Sequence, residues 1–139
     1  KIEAFAGQCV VAVSAGIAHS LAITADGEVR SWGWGMFGML GHGDEREQLL
    51  PKKVEALAGQ RVVAVSAGTA HSLAITADGA VWSWGHAAQV GHGCPQCGWA
   101  VGGGCGQLHQ LLPKRVEALA GRRVVAVSVG WKHNLAITA

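Results

Sequence analysis

The stretch Ala64-Val65-Ser66-Ala67-Gly68-Thr69-Ala70-His71-Ser72-Leu73-Ala74-Ile75-Thr76-Ala77-Asp78-Gly79-Ala80-Val81-Trp82-Ser83-Trp84-Gly85 decides the fold. It falls into β-type runs. Val62–Ser66 is a short β-branched run closed by Ala67-Gly68, and Ser72–Thr76 is a second. Ala77-Asp78-Gly79 then reads as a hairpin turn, because Asp-Gly tolerates the positive φ that tight turns need. Val81–Trp84 returns antiparallel, and a fourth run, Lys114–Leu119, follows a glycine-rich loop. The runs are apolar or small on both faces, which suits a sheet covered on both sides by neighbours.

Working outward, the same pattern recurs. Lys1–Gly33 matches Lys53–Gly85 at 27 of 33 positions, and Arg115–Ala139 matches the second copy at 19 of 25. Four short strands in a period of roughly 50 residues is the arithmetic of a propeller blade. The expected units are 1–52, 53–114 with an insertion near 94–106, and a partial 115–139, all parts of one domain. The fold class is therefore all-β, with four-stranded antiparallel blades.

Composition sets the outer limits. The 139 residues suffice for one domain, half of them are apolar, and only 14% are charged, which excludes a disordered charged tail. A net charge of +2 argues for neither nucleic acid nor a membrane surface. Uncharged stretches at Ala4–Ala25 and Gly79–Pro113 carry polar residues and repeated glycines at short intervals, unlike a spanning helix. Cys9 stands apart from Cys94, Cys97 and Cys105, and this spacing is no disulfide scaffold, so an intracellular setting, cytoplasmic or nuclear, is expected.

The frame Ala64-Val65-Ser66-Ala67-Gly68-x-x-His71-Ser72-Leu73-Ala74-Ile75-Thr76-x-Asp78-Gly79-x-Val81-x-x-Trp84-Gly85 resembles the repeat of the regulator of chromosome condensation family. Trp32-Gly33-x-x-x-x-Gly38-x-Leu40-Gly41-x-Gly43 completes that signature in the first copy. The resemblance implies a seven-bladed propeller, of which this chain supplies two to three blades. An open blade flank of roughly 300 Å² forfeits up to about 8 kcal/mol of apolar burial. Further blades, or self-association, are expected to cover it. Gly130-Trp131-Lys132-His133-Asn134 is also similar to the Gly-Trp-Arg-His-Thr motif of a plant ultraviolet-B photoreceptor within the family. Ile17 and Thr69 replace that tryptophan in the other copies, and one tryptophan makes no excitonic cluster.

Repetition separates architecture from recognition. Gly16, Gly68 and Gly130 are expected to supply tight turns, and His19, His71 and His133 to tie down each blade's loop by hydrogen bonds. Trp32 and Trp84 are expected to pack between blades. The turn between the first two strands varies instead: Ile17-Ala18, Thr69-Ala70 and Trp131-Lys132. With the unrepeated Trp34, these residues are the candidate binding set, since loop tips on one rim can change without disturbing a core.

The insertion has the soft ligands of a zinc site in His92-x-Cys94-x-x-Cys97-x7-Cys105-x3-His109, but matches no common finger, so free thiols are the default reading. Lys52, Lys53 and Arg61, then Lys114, Arg115, Arg122 and Arg123, line up on successive copies as a solvated edge; nucleic acid or chromatin contact is a minor option. No nucleophile–base pair, phosphate loop or cofactor motif stands out. The leading expectation is a non-catalytic protein-binding module acting through rim loops. The alternatives are guanine-nucleotide exchange on a small GTPase, which the resemblance permits, and the substrate-recruiting propeller of a ubiquitin ligase.

Overall fold

A computed structural model describes residues 2–92 and 109–139. The first antiparallel sheet contains β1 (Val10–Ala15), β2 (His19–Thr24), β3 (Val29–Gly33) and β4 (Gln48–Lys53), ordered as in the chain. The second repeats it with β5 (Val62–Ala67), β6 (His71–Thr76), β7 (Val81–Gly85) and β8 (Gln110–Arg115). A two-stranded sheet, β9 (Val124–Val129) with β10 (Asn134–Thr138), begins a third blade. These are the expected propeller blades in an incomplete set.

The β2–β3 turn shows how local sequence builds a blade. Gly27 and Gly79 have φ of +86° and +83°, which glycine adopts without steric cost. Asp26 and Asp78 stay out of the positive-φ region and accept hydrogen bonds from the Thr24 and Thr76 hydroxyls.

One expected strand moves. The fourth strand is Gln110–Arg115, whereas Glu117–Leu119 forms a short 3-10 turn leading to β9. Val116 N–H still reaches the Val81 carbonyl at 2.8 Å, and the chain leaves the sheet there. Pro113, like Pro51 in β4, reads as a strand breaker. It is accommodated because these are outer strands, where a missing N–H costs no ladder bond.

The core lies between sheets. Leu21, Ile23 and Val29 of the first blade meet Val62, Ala74 and Trp84 of the second, with Val54 and Leu57 from the link. A second layer, Leu73, Ile75, Val81, Val116 and Val124, joins the second blade to the third. The outer flanks lack such cover: Leu73 and Ile75 are 3% and 1% exposed, while their copies Leu135 and Ile137 are 63% and 62% exposed. Burial of about 25 cal/mol per Å² explains why every added blade stabilises its predecessor.

Candidate functional site

Each β1–β2-type turn carries one copy of the Gly-x-x-His element, and stacking of the blades sets the three turns side by side. Their residues form one open groove of about 510 Å³, lined by Gly16, Ile17, Gly68, Thr69, Gly130 and Trp131. Ile17 and Trp131 are exposed, Thr69 half-exposed. The Lys132 ammonium lies 5.0 Å from the Trp131 ring centroid, a cation–π contact that orients both. Trp34 is exposed at the same end of the first blade, where its backbone N–H donates to the Ala18 carbonyl at 2.8 Å. The variable turn residues are thus neighbours, and the apolar tips Ile17 and Trp131 flank Thr69.

The glycines beneath these tips act by space rather than by turn conformation, a correction to the expectation. None of Gly16, Gly68 and Gly130 has positive φ. A Cβ on Gly68 would lie 2.4 Å from Val129 Cγ1 and 2.6 Å from His71 Cε1, and one on Gly16 would lie 2.2 Å from the Gly68 carbonyl oxygen. Glycine is needed because the next blade and the histidine ring already occupy that volume.

The histidine hydrogen bonds link one blade to the next. His19 Nε2 is 2.9 Å from Ser72 Oγ in the next blade. Ser72 Oγ donates its single proton to the Met39 carbonyl at 2.9 Å, so His19 Nε2–H is the donor. His71 repeats the link, with Nε2 2.6 Å from Asn134 Oδ1, and its Nδ1 lies 3.1 Å from the Gln89 side-chain amide. Gln89 takes the place of Met39, whose side chain has no amide, and His19 Nδ1 is left buried with no partner among the described residues. Burial, helped by nearby His71, lowers the His19 pKa to about 4. The terminal His133 is exposed, with its ring packed over Gly130.

Trp84, expected to pack between blades, is fully buried, and its indole N–H donates to the Met39 carbonyl at 2.9 Å across the first blade boundary. Trp32 departs from that expectation. It is half-buried on the open flank, edge-on to Phe5 at 5.9 Å, beside a groove of about 590 Å³ that also exposes Val13.

Sequence reading missed a second contact between blade loops. Phe37, at a strained φ of +62°, packs edge-on against His86 and His109, whose ring centroids lie 4.9 Å apart. None of these three residues is repeated, so only their absence from the common frame could have marked them. His109 therefore packs against an aromatic ring. His92 Nε2 lies 3.0 Å from Ser83 Oγ, as His42 Nε2 lies 2.9 Å from Ser31 Oγ, which makes both architectural. Cys94, Cys97 and Cys105 lie outside the described residues. Among the described residues no three His, Cys, Asp or Glu side chains converge as metal ligands, and no helix is long and apolar enough to cross a membrane.

Family models of the regulator of chromosome condensation (RCC1) repeat match residues 26–75, 78–137 and 10–38. The chain belongs to the RCC1 repeat family. Among RCC1-repeat proteins, the ultraviolet-B receptor UVR8 of Arabidopsis thaliana is 34% identical over 140 residues, covering 99% of this chain and 29% of that relative. The human E3 ubiquitin-protein ligase HERC2 is 40% identical over 141 residues, covering 99% of this chain and 3% of that relative. Of solved structures, human WBSCR16 superposes with a TM-score of 0.78 at 27% identity, over 94% of this chain and 31% of its own. Yeast RCC1 (Prp20), solved with Kap60, gives 0.73 at 25% identity, over 95% and 30%. The chain thus spans less than a third of the length of each of these relatives, as an RCC1-type propeller segment.

Proposed function

We propose that this RCC1-repeat segment is a non-catalytic protein-binding module whose contact surface is the rim groove between Ile17, Thr69 and Trp131, with Lys132 and Trp34 at its margins. The single observation that carries the reading is the convergence of unrepeated side chains onto three adjacent turns of an otherwise repeated frame. A tryptophan beside a cation is a common interface anchor, and a groove held by rigid strands presents it with little ordering cost. The module acts with further blades, or a second copy, covering the flanks where Leu135 and Ile137 stand exposed. Free, exposed Cys9 fits a reducing compartment, cytoplasmic or nuclear.

The similarity to HERC2 favours one specialisation, a substrate-recruiting propeller of a ubiquitin ligase whose catalytic domain is separate from this segment. Photoreception draws less support, because the groove carries one tryptophan with isoleucine and threonine at the equivalent tips. The test is photo-crosslinking from position 69 in cells, with Trp131→Ala as the comparison. The reading expects a defined protein set at position 69 that Trp131→Ala depletes, and an unchanged set would overturn it. Accelerated nucleotide release from a small GTPase at substoichiometric protein would replace it with guanine-nucleotide exchange.

A further inference from the structure

The opposite rim, at the far ends of the same strands, keeps its backbone from blade to blade and changes its charge. At the first boundary Lys53 pairs with the Glu28 carboxylate, and Arg30 lies 4.0 Å from it. Glu28 and Lys53 border a cleft of about 240 Å³ that continues past Asp26 and Leu57 to Arg61. The second boundary repeats the frame. Val62 N–H to Gly27 O (3.0 Å) and Ala77 N–H to Arg61 O (2.8 Å) have counterparts in Val124 N–H to Gly79 O (3.1 Å) and Ala139 N–H to Arg123 O (2.9 Å).

The side chains at this second boundary are different. Ala80 stands for Glu28, Arg115 for Lys53, Arg122 for Gln60, and Arg123 for Arg61. All three arginines are exposed, and among the described residues every salt bridge belongs to Glu28. Two acids remain nearby. Asp78 accepts from the Thr76 hydroxyl and the Ala80 N–H, and Glu117 sits exposed on the linking turn with no ion pair. Loss of the internal carboxylate and gain of Arg122 make the positions equivalent to the first boundary's cleft more cationic at the second.

We propose that Arg115, Arg122 and Arg123 form a docking cleft for an acidic side chain on an extended segment of a partner protein. A guanidinium fork pairs two N–H groups with a carboxylate, and three forks around one cleft can hold it from several sides. The residues they replace, Lys53, Gln60 and Arg61, all line one cleft of side-chain size at the first boundary instead of tracking a strand. Trp82, which pairs with Arg115 in the sheet, packs against the interblade core and offers no stacking platform of the kind single-stranded nucleic acid uses. This surface is independent of the rim groove, since β2 and β6 separate the two by their whole length.

The experiment measures fluorescence anisotropy of a labelled eight-residue glutamate peptide on the full chain, against a glutamine peptide of equal length and a single-stranded oligonucleotide. The glutamate peptide should bind at least ten-fold more tightly than the glutamine peptide, and more weakly as salt rises. Ala80→Glu, which restores the first boundary's carboxylate, and Arg122→Gln, which restores its neutral residue, should each weaken binding about ten-fold, with circular dichroism and melting unchanged. Equal binding of the two peptides, or unchanged affinity in both variants, overturns the proposal. Tighter binding of the oligonucleotide with the same residue dependence overturns it in favour of nucleic acid.

Discussion

The indole N–H of Trp84 donates to the Met39 carbonyl at 2.9 Å across the boundary between the first two blades, and the same carbonyl accepts the Ser72 hydroxyl. Among the described residues, the repeated Trp32 meets Phe5 and lines an open groove. Two identical residues, each within a Ser-Trp-Gly step, therefore carry different weights. Trp84→Ala should cost about 3–5 kcal/mol, and Trp32→Ala less than half of that. Trp84→Phe, which keeps the ring and removes the donor, should cost about 1–2 kcal/mol. Urea unfolding of the three variants checks the order, and equal losses for Trp84→Ala and Trp32→Ala would contradict it.

Gly68→Ala tests the close approach beneath the rim. The added methyl meets Val129 Cγ1 and the His71 ring, so the expected loss is about 1–3 kcal/mol despite ordinary backbone angles. Val129→Ala removes one of the two collisions. In a double-mutant cycle the paired substitutions should therefore cost less than the sum of the singles, and strict additivity would show that the two groups do not meet.

Acid should loosen the blade junction. Folded His19 binds its proton less readily than the unfolded chain, with a pKa near 4 against 6.5. The unfolded state therefore takes up the proton as pH falls below about 6.5, and stability declines until about pH 4, then levels off. The contribution is up to about 3 kcal/mol, and burial pushes His71, His42 and His92 in the same direction. Unfolding free energy at pH 7 and pH 4.5 measures the loss. Met39→Gln supplies the amide that His71 already has in Gln89, so it should raise the His19 pKa by NMR titration and shrink the loss.

Trp131 separates binding from stability. Its side chain is 67% exposed, so Trp131→Ala should change unfolding free energy by no more than about 0.5 kcal/mol. Partner affinity should fall by ten-fold or more if the side chain anchors an interface. A large stability loss would place the ring in packing rather than in recognition.

Much of the blade was readable from local order. The runs at Val62–Ser66, Ser72–Thr76 and Val81–Trp84 lie within β5, β6 and β7, because β-branched residues and Asp-Gly turns act over a few neighbours. Gln110–Arg115 was hidden because Pro113 argues against a strand, and only the sheet order shows that it is an outer one. The variable turn tips could be found by comparing copies. Their gathering into one groove could not, since it depends on how three separate sheets stack.

By itself the amino-acid sequence determined the repeating blade and its family, since each copy contains its own strands and turns and needs no distant residue to specify them. Only the tertiary structure decided what the repeated side chains do. His19 meets Ser72, Trp84 meets Met39, and Gly68 yields space to Val129, in each case across a blade boundary. The physical reason is that burial and hydrogen bonding act between surfaces brought together by stacking. One motif is therefore a sealed joint in the middle of the array and an exposed flank at its edge.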